Sequence, residues 1–233
     1  MGIAGTRANP ASPQASAAEG VAQPSVRLSQ QLRPTILGVL LLSFMTGGIF
    51  PLLLWAFAAT LLAPQGAGSL IMRHGSVVGS RLIGQQFSGA QWFHPRPSAA
   101  GKGYDATASG GTNLAPGNPA LKQGAPDFTG IGELAAQYRR DNALAPDTPI
   151  PIDAVTRSGS GLDPDISPTN AFLQVGRVAA ARGLDESTVR QLVSRHVTPP
   201  QLGFLGEPRA SVLELNLALE RLPPGAARPP GPQ

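Results

Sequence analysis

TILGVLLLSFMTGGIFPLLLWAFAATLL, residues 35–62, carries no ionisable side chain over 28 positions. About 20 apolar residues already cross the hydrocarbon core of a bilayer, so this stretch predicts a transmembrane helix with length to spare. A cleavable leader has a shorter apolar core, about 7–15 residues, and starts nearer the N-terminus. A retained anchor is the better reading. Gly47, Gly48 and Pro51 lie at mid-span, and because proline lacks a donor and frees a carbonyl one turn earlier, a kink is expected near residue 48. Ser43 and Gly47 stand four apart, a spacing at which small side chains admit a second helix. Both are candidate contacts with a partner chain. The span holds no ion ligand, proton relay or voltage sensor, and one helix encloses no pore, so any part in transport is accessory to other chains.

Arg27 and Arg33 flank the N-terminal end of this stretch with Arg7 further back, whereas Arg73 and Arg81 follow at greater distance. The richer side is expected in the cytoplasm, which places the N-terminus inside the inner (cytoplasmic) membrane and the body outside it. The expected organisation is a disordered cytoplasmic tail (1–33), a single-pass anchor (34–62), an extracytoplasmic domain (63–222) and a second disordered tail (223–233). The tails are predicted from their Ala, Ser, Pro, Gly and Gln content without periodicity.

With 233 residues there is room for about one ordinary domain plus appendages. Gly and Pro number 28 and 24, so much of the body must be loop. The chain has no cysteine, which excludes disulfides, thiolate metal sites and Cys-His catalysis. Its net charge of +4 comes from scattered Arg with few aromatics between. Nucleic acid is therefore not expected as a partner, and membrane lipid is.

After the anchor, SLIMRHGSVVGSRLIG predicts a small hairpin turning at His74-Gly75. Residues 94–128 read as a long loop, functional or mobile. Helical spacing returns at about 130–144. Ser167-Pro168 then opens a helix running to Arg182 and closed by Gly183, and Asp185 opens another with Val189, Leu192, Val193, His196 and Val197 on one stripe. Ser211 and Glu214 form a capping box before VLELNLAL, favouring a final helix. The expected class is α+β: one N-terminal transmembrane helix, then a soluble domain with a small β element and a mostly helical C-terminal half.

Candidate chemistry is sparse. Asp163-x-Asp165-x-Ser167 has the opening spacing of a Ca²⁺ loop, but Pro168 stands where that loop needs Gly and Gln174 where it needs Glu. A serine nucleophile would be Ser160 or Ser109 with His94 or His196 as base, although no spacing selects them. The alternative function is thus a membrane-anchored extracytoplasmic serine hydrolase using Ser160. No phosphate-cradling glycine motif occurs. No catalytic, cofactor or metal site is assigned. SGSGLDPDISP (158–168) joins a polar turn to a capped helix, and Ser160 and Asp163 are candidate partner contacts on it.

Blocks in fixed order carry a resemblance: GSVVGSRLIGQQF (75–87), RPSA (96–99), YDATASGGTNLAPGNP (104–119), VTRSGSGLDPDISP (155–168), QVGRVAAARGL (174–184) and GEPRASVLELNLAL (206–219). Over 34–221 the chain resembles the KdpC family, the C subunit of the potassium-transporting ATPase, with departures at Ala115, Asp165, Ala210 and Ser211. The resemblance implies a non-catalytic accessory subunit of a P-type potassium uptake complex. Its partners would be the potassium-binding and ATP-hydrolysing subunits, which handle potassium and ATP themselves. The implied role is assembly and stability of the complex and a raised ATP affinity of the catalytic chain. A body outside the membrane cannot touch cytoplasmic nucleotide, so that effect would be a coupling free energy carried through the membrane part.

Overall fold

The computed structural model describes residues 28–222. Of the expected tails, residues 1–27 and 223–233 lie outside the described residues, and residues 28–33 are helical. The chain divides into two compact units between Phe57 and Ala58.

In the first unit, α1 (Leu28–Phe44) passes through one π-helical turn at Met45–Ile49 into α2 (Phe50–Leu61). The wide turn ends just before Pro51. Proline interrupts the regular ladder of the turn preceding it, and a π turn re-satisfies the displaced carbonyls; the disturbance expected near residue 48 takes this form. Thr46 Oγ1 donates to Leu42 O at 2.7 Å, giving the hydroxyl an acceptor within its own helix.

The second unit begins with the last turn of α2 and a single-turn helix α3 (Ala63–Gly66). The expected hairpin follows, β1 (Leu70–Arg73) paired antiparallel with β2 (Ser76–Ser80). His74 and Gly75 both take positive φ, 49° and 80°, as a two-residue type I′ turn demands. The 94–128 stretch is less open than expected: it contains the short helix α4 (Pro119–Gln123), and Ala100 within it is fully buried.

Then come α5 (Ile131–Asp141), a 3₁₀ turn at Ile152–Ala154, β3 (Asp165–Ile166), α6 (Pro168–Arg182), α7 (Glu186–Arg195), β4 (Val197–Thr198), β5 (Arg209–Ser211) and α8 (Val212–Glu220). The caps are those the sequence spelled out. Ser167 accepts from Asn170 N, Gly183 is left-handed, Asp185 accepts from Ser187 N, and Ser211 accepts from Glu214 N. A three-stranded antiparallel sheet in the order β3-β5-β4 was not expected; strands of two or three residues are too short to show a period-2 pattern. Its register puts Ile166 opposite Ala210 and Ala210 opposite Val197. The core gathers the inner faces of α6, α7 and α8 around Val175, Val178, Val189, Val193, Leu215 and Leu219, with Phe93 inserted from the long loop. The class is α+β, small sheets with a mostly helical second half.

Candidate functional site

The apolar stripes of α6 and α8 are each broken by buried amides, and these amides organise the body. Asn216 accepts from Phe93 N at 2.9 Å and donates to Phe93 O at 3.0 Å. Gln174 does the same to the next residue, accepting from His94 N at 2.7 Å and donating to His94 O at 3.0 Å. An amide side chain can pair with a peptide unit as a neighbouring strand would, which satisfies backbone groups that otherwise carry a large burial penalty. The chain continues from Gln174 to Asn170 Oδ1 (2.9 Å), and Asn170 Nδ2 donates to Asp153 Oδ2 (3.0 Å). Asp153 also accepts from the backbone and hydroxyl of Ser167 at the start of α6. Arg177 completes the fastening, donating to Ala90 O, Trp92 O, Asn142 Oδ1 and Gln174 Oε1. Arg182 Nε donates to Gln91 O at 2.9 Å, so all five residues 90–94 are held by α6 and α8, with the Arg182 guanidinium 4.4 Å from the Trp92 ring centre as a further contact.

Beyond this clamp the chain meets the 158–165 turn. Arg96 pairs with Asp163 at 2.7 Å, Ser98 Oγ donates to Gly161 O at 2.6 Å, and Tyr104 OH donates to Arg96 O at 2.7 Å. Gly161 has φ +69°, and a Cβ there would come within 2.6 Å of Ala100 N, so the turn requires glycine twice over. A cleft of about 380 Å³ lies between this segment and α5, with His94, Arg96, Lys102, Tyr104, Tyr138 and Asp141 among its walls. Burial, and then the nearby Arg177 charge, hold the His94 imidazole below its ordinary pKa. Burial raises both tyrosines well above theirs, which keeps them as O–H donors. The Asp165 carboxyl is pushed up by burial and partly brought back by Arg209, 3.0 Å away.

Among the described residues hydrolytic chemistry has no constellation, and that alternative is set aside. Ser160 Oγ accepts from Leu162 N at 3.1 Å and sits 3.4 Å from Ser158 Oγ, while Ser109 Oγ donates to Ser160 O. His94 Nε2 bonds Gly89 O and His196 Nδ1 bonds Leu192 O, so neither imidazole engages a serine. Asp163 and Asp165 each face a guanidinium. Of the partner-contact candidates on this turn, Ser160 is exposed, whereas Asp163 is engaged inside the body by Arg96 and by Asp165 N. Ser43 and Gly47 lie on exposed positions of the long helix, and a Cβ at Gly47 would meet nothing within 4 Å. The sequence had pointed to neither Arg96 nor the buried amides. Asn216 within LELNLAL and Gln174 within FLQVG were the available signal: single amides on an otherwise apolar face.

Among the described residues one helix, Ser29–Leu61, whose most apolar 18-residue window has mean hydropathy 2.2, is long and apolar enough to cross a membrane. A sequence model of the family described as the K⁺-transporting ATPase c chain, KdpC, matches residues 32–221. The potassium-transporting ATPase KdpC subunit of Mycobacterium bovis (strain BCG / Pasteur 1173P2) is 46% identical over 195 residues, 84% of this chain and 100% of the relative. The KdpC subunit of Cereibacter sphaeroides (strain ATCC 17029 / ATH 2.4.9) is 47% identical over 189 residues, covering 81% and 96%. That of Koribacter versatilis (strain Ellin345) is 43% identical over 201 residues, covering 84% and 97%. The match takes in the apolar helix, the clamped segment and the helices that clamp it, and the chain belongs to the KdpC family.

Proposed function

We propose that this chain is the accessory, non-catalytic subunit of an ATP-driven potassium uptake complex. It is anchored once in the cytoplasmic membrane with its N-terminus inside and its body outside. Partner chains bind potassium and hydrolyse ATP; this chain supports their assembly and raises the catalytic chain's affinity for ATP. The observation that carries the reading is the family match from the apolar helix to the end of α8, on a body in which the candidate nucleophiles Ser109 and Ser160 and the candidate bases His94 and His196 hold local hydrogen bonds instead of one another. Because the body lies outside, the ATP effect reaches the nucleotide as a coupling free energy through the membrane part, and the helix face with Ser43 and Gly47 is the place where that coupling passes to a partner helix.

The test is purification of the complex with and without this chain. With it, potassium-stimulated ATPase activity shows a lower KM for ATP; equal KM and equal recovery of the two other chains would overturn the accessory role. A reporter active only outside the cytoplasm, fused after Leu222, is active in this topology, and activity from a cytoplasm-only reporter at the same place would invert it.

A further inference from the structure

The hairpin next to the anchor has two unlike faces. Its inner face is committed to α8: a Cβ on Gly79 would come within 2.7 Å of the Leu213 side chain, Arg81 pairs with Glu214 at 2.7 Å, and Arg73 pairs with Glu220. The outer face is apolar and open. Leu70, Met72 and Val77 are 51%, 58% and 54% exposed, Met72 and Val77 are cross-strand partners, and Leu82 just beyond is 62% exposed. Contiguous apolar surface of this kind marks a binding face.

Two observations say what covers it. The first is charge: after Arg33 no Asp, Glu, Lys or Arg occurs until Arg73, so the uncharged run continues past the end of α2 through α3 and all of β1 but its last residue. The second is the connection. Leu62 N bonds Ala58 O at 3.0 Å, Gly66 N bonds Leu62 O at 2.7 Å, Ser69 N bonds Pro64 O at 2.8 Å, Ser80 Oγ bonds Gly68 O at 2.7 Å and Arg81 N bonds Ser69 O at 3.1 Å. These bonds fold residues 58–81 into consecutive turns, and even fully extended the nine residues from Leu61 to Leu70 would reach only about 30 Å. The headgroup layer adds about 5–8 Å on each side of the hydrocarbon core.

We propose that the outer face of the β1–β2 hairpin rests in the lipid headgroup layer of the bilayer that holds the anchor, making a second, peripheral lipid contact of the body. This rests on α1–α2 spanning the membrane. Leu and Met side chains at that depth bury apolar surface, while the water and polar groups of the headgroup layer can meet the outward-facing backbone groups that a two-stranded pairing leaves open.

The chain has no cysteine, so single-cysteine labelling is direct. The full chain is reconstituted into vesicles of phosphatidylethanolamine and phosphatidylglycerol. Met72→Cys, Val77→Cys, Leu53→Cys in the anchor and Ile152→Cys, 74% exposed and outside the patch, each carry an environment-sensitive fluorophore. Spin-labelled lipids supply the quencher. Labels at 72 and 77 are expected to lose emission to a spin label near the headgroup, well beyond the background set by position 152. Labels at 72 and 77 that stay at background in vesicles overturn the proposal. So does shielding that arises only when the partner chains are added, which assigns the face to protein. The Leu53→Cys label separates the two failures: if a deep-lying spin label does not quench it, the membrane span itself is wrong and the lipid contact falls with it.

Discussion

Replacing Asn216 by Leu tests whether the buried amides hold the body together. Leu keeps the branching of Asn at Cγ, so the change removes hydrogen-bonding capacity without opening a cavity, although its methyls are larger than the amide atoms they replace. Asn216 is 1% exposed and Phe93 0%, and both the N–H and the C=O of Phe93 spend their bond on this one side chain. Each buried group left unsatisfied costs about 1–3 kcal/mol, so the two together are expected to cost about 4 kcal/mol. At about 2–4 °C per kcal/mol for a domain of this size, Tm falls by about 8–16 °C. The assay is thermal unfolding of the full chain in detergent, together with hydrogen exchange of the Phe93 and His94 amides, which should lose protection before the rest of the core. Gly176→Ala is the matched control: its Cβ meets nothing within 4 Å, and alanine in place of glycine inside a helix adds up to about 1 kcal/mol. A Tm change below about 3 °C for Asn216→Leu, with both amides still protected, would refute the clamp as a source of stability.

The remaining perturbations probe other levels. Asp163→Ala strips Arg96 of its carboxylate in a pair whose side chains are only 21% and 30% exposed, and is expected to lower stability by about 1–2 kcal/mol; an unchanged Tm combined with lost complex recovery would make Asp163 a partner contact instead. His94 is held below its ordinary pKa of 6.5 by burial and Arg177. Between the two values the unfolded chain binds more protons, so this contribution is complete above pH 6.5 and is lost as pH falls through the lowered folded value. Tm measured against pH should therefore drop more steeply below 6.5 in the native chain than in His94→Gln, and parallel curves would remove His94 from the account. Gly47→Leu is expected to keep membrane insertion and reduce recovery of the complex, because added bulk favours lipid but blocks close helix approach; normal recovery would mean this face looks at lipid.

What was legible in the sequence was whatever physics is local. An uncharged run longer than a bilayer declares a span from composition alone. Ser167, Gly183, Asp185 and Ser211 declare helix ends because a cap is satisfied within three or four residues of its own position, and His74-Gly75 declares a turn because few residues tolerate positive φ. Tertiary structure decided everything whose partner is distant in the chain. The bonds from Asn216 to Phe93 and from Gln174 to His94 span 123 and 80 positions, and no periodicity encodes such a pairing. Strands of two or three residues become a sheet only because α6, α7 and α8 bring β3, β4 and β5 side by side. Asp163 shows the difference at a single residue. Its setting beside Gly and Ser suggested an outward-facing recognition turn, yet the fold delivers Arg96 from 67 positions away to meet it, because a half-buried carboxylate is stable only where a donor arrives to replace the water it has lost.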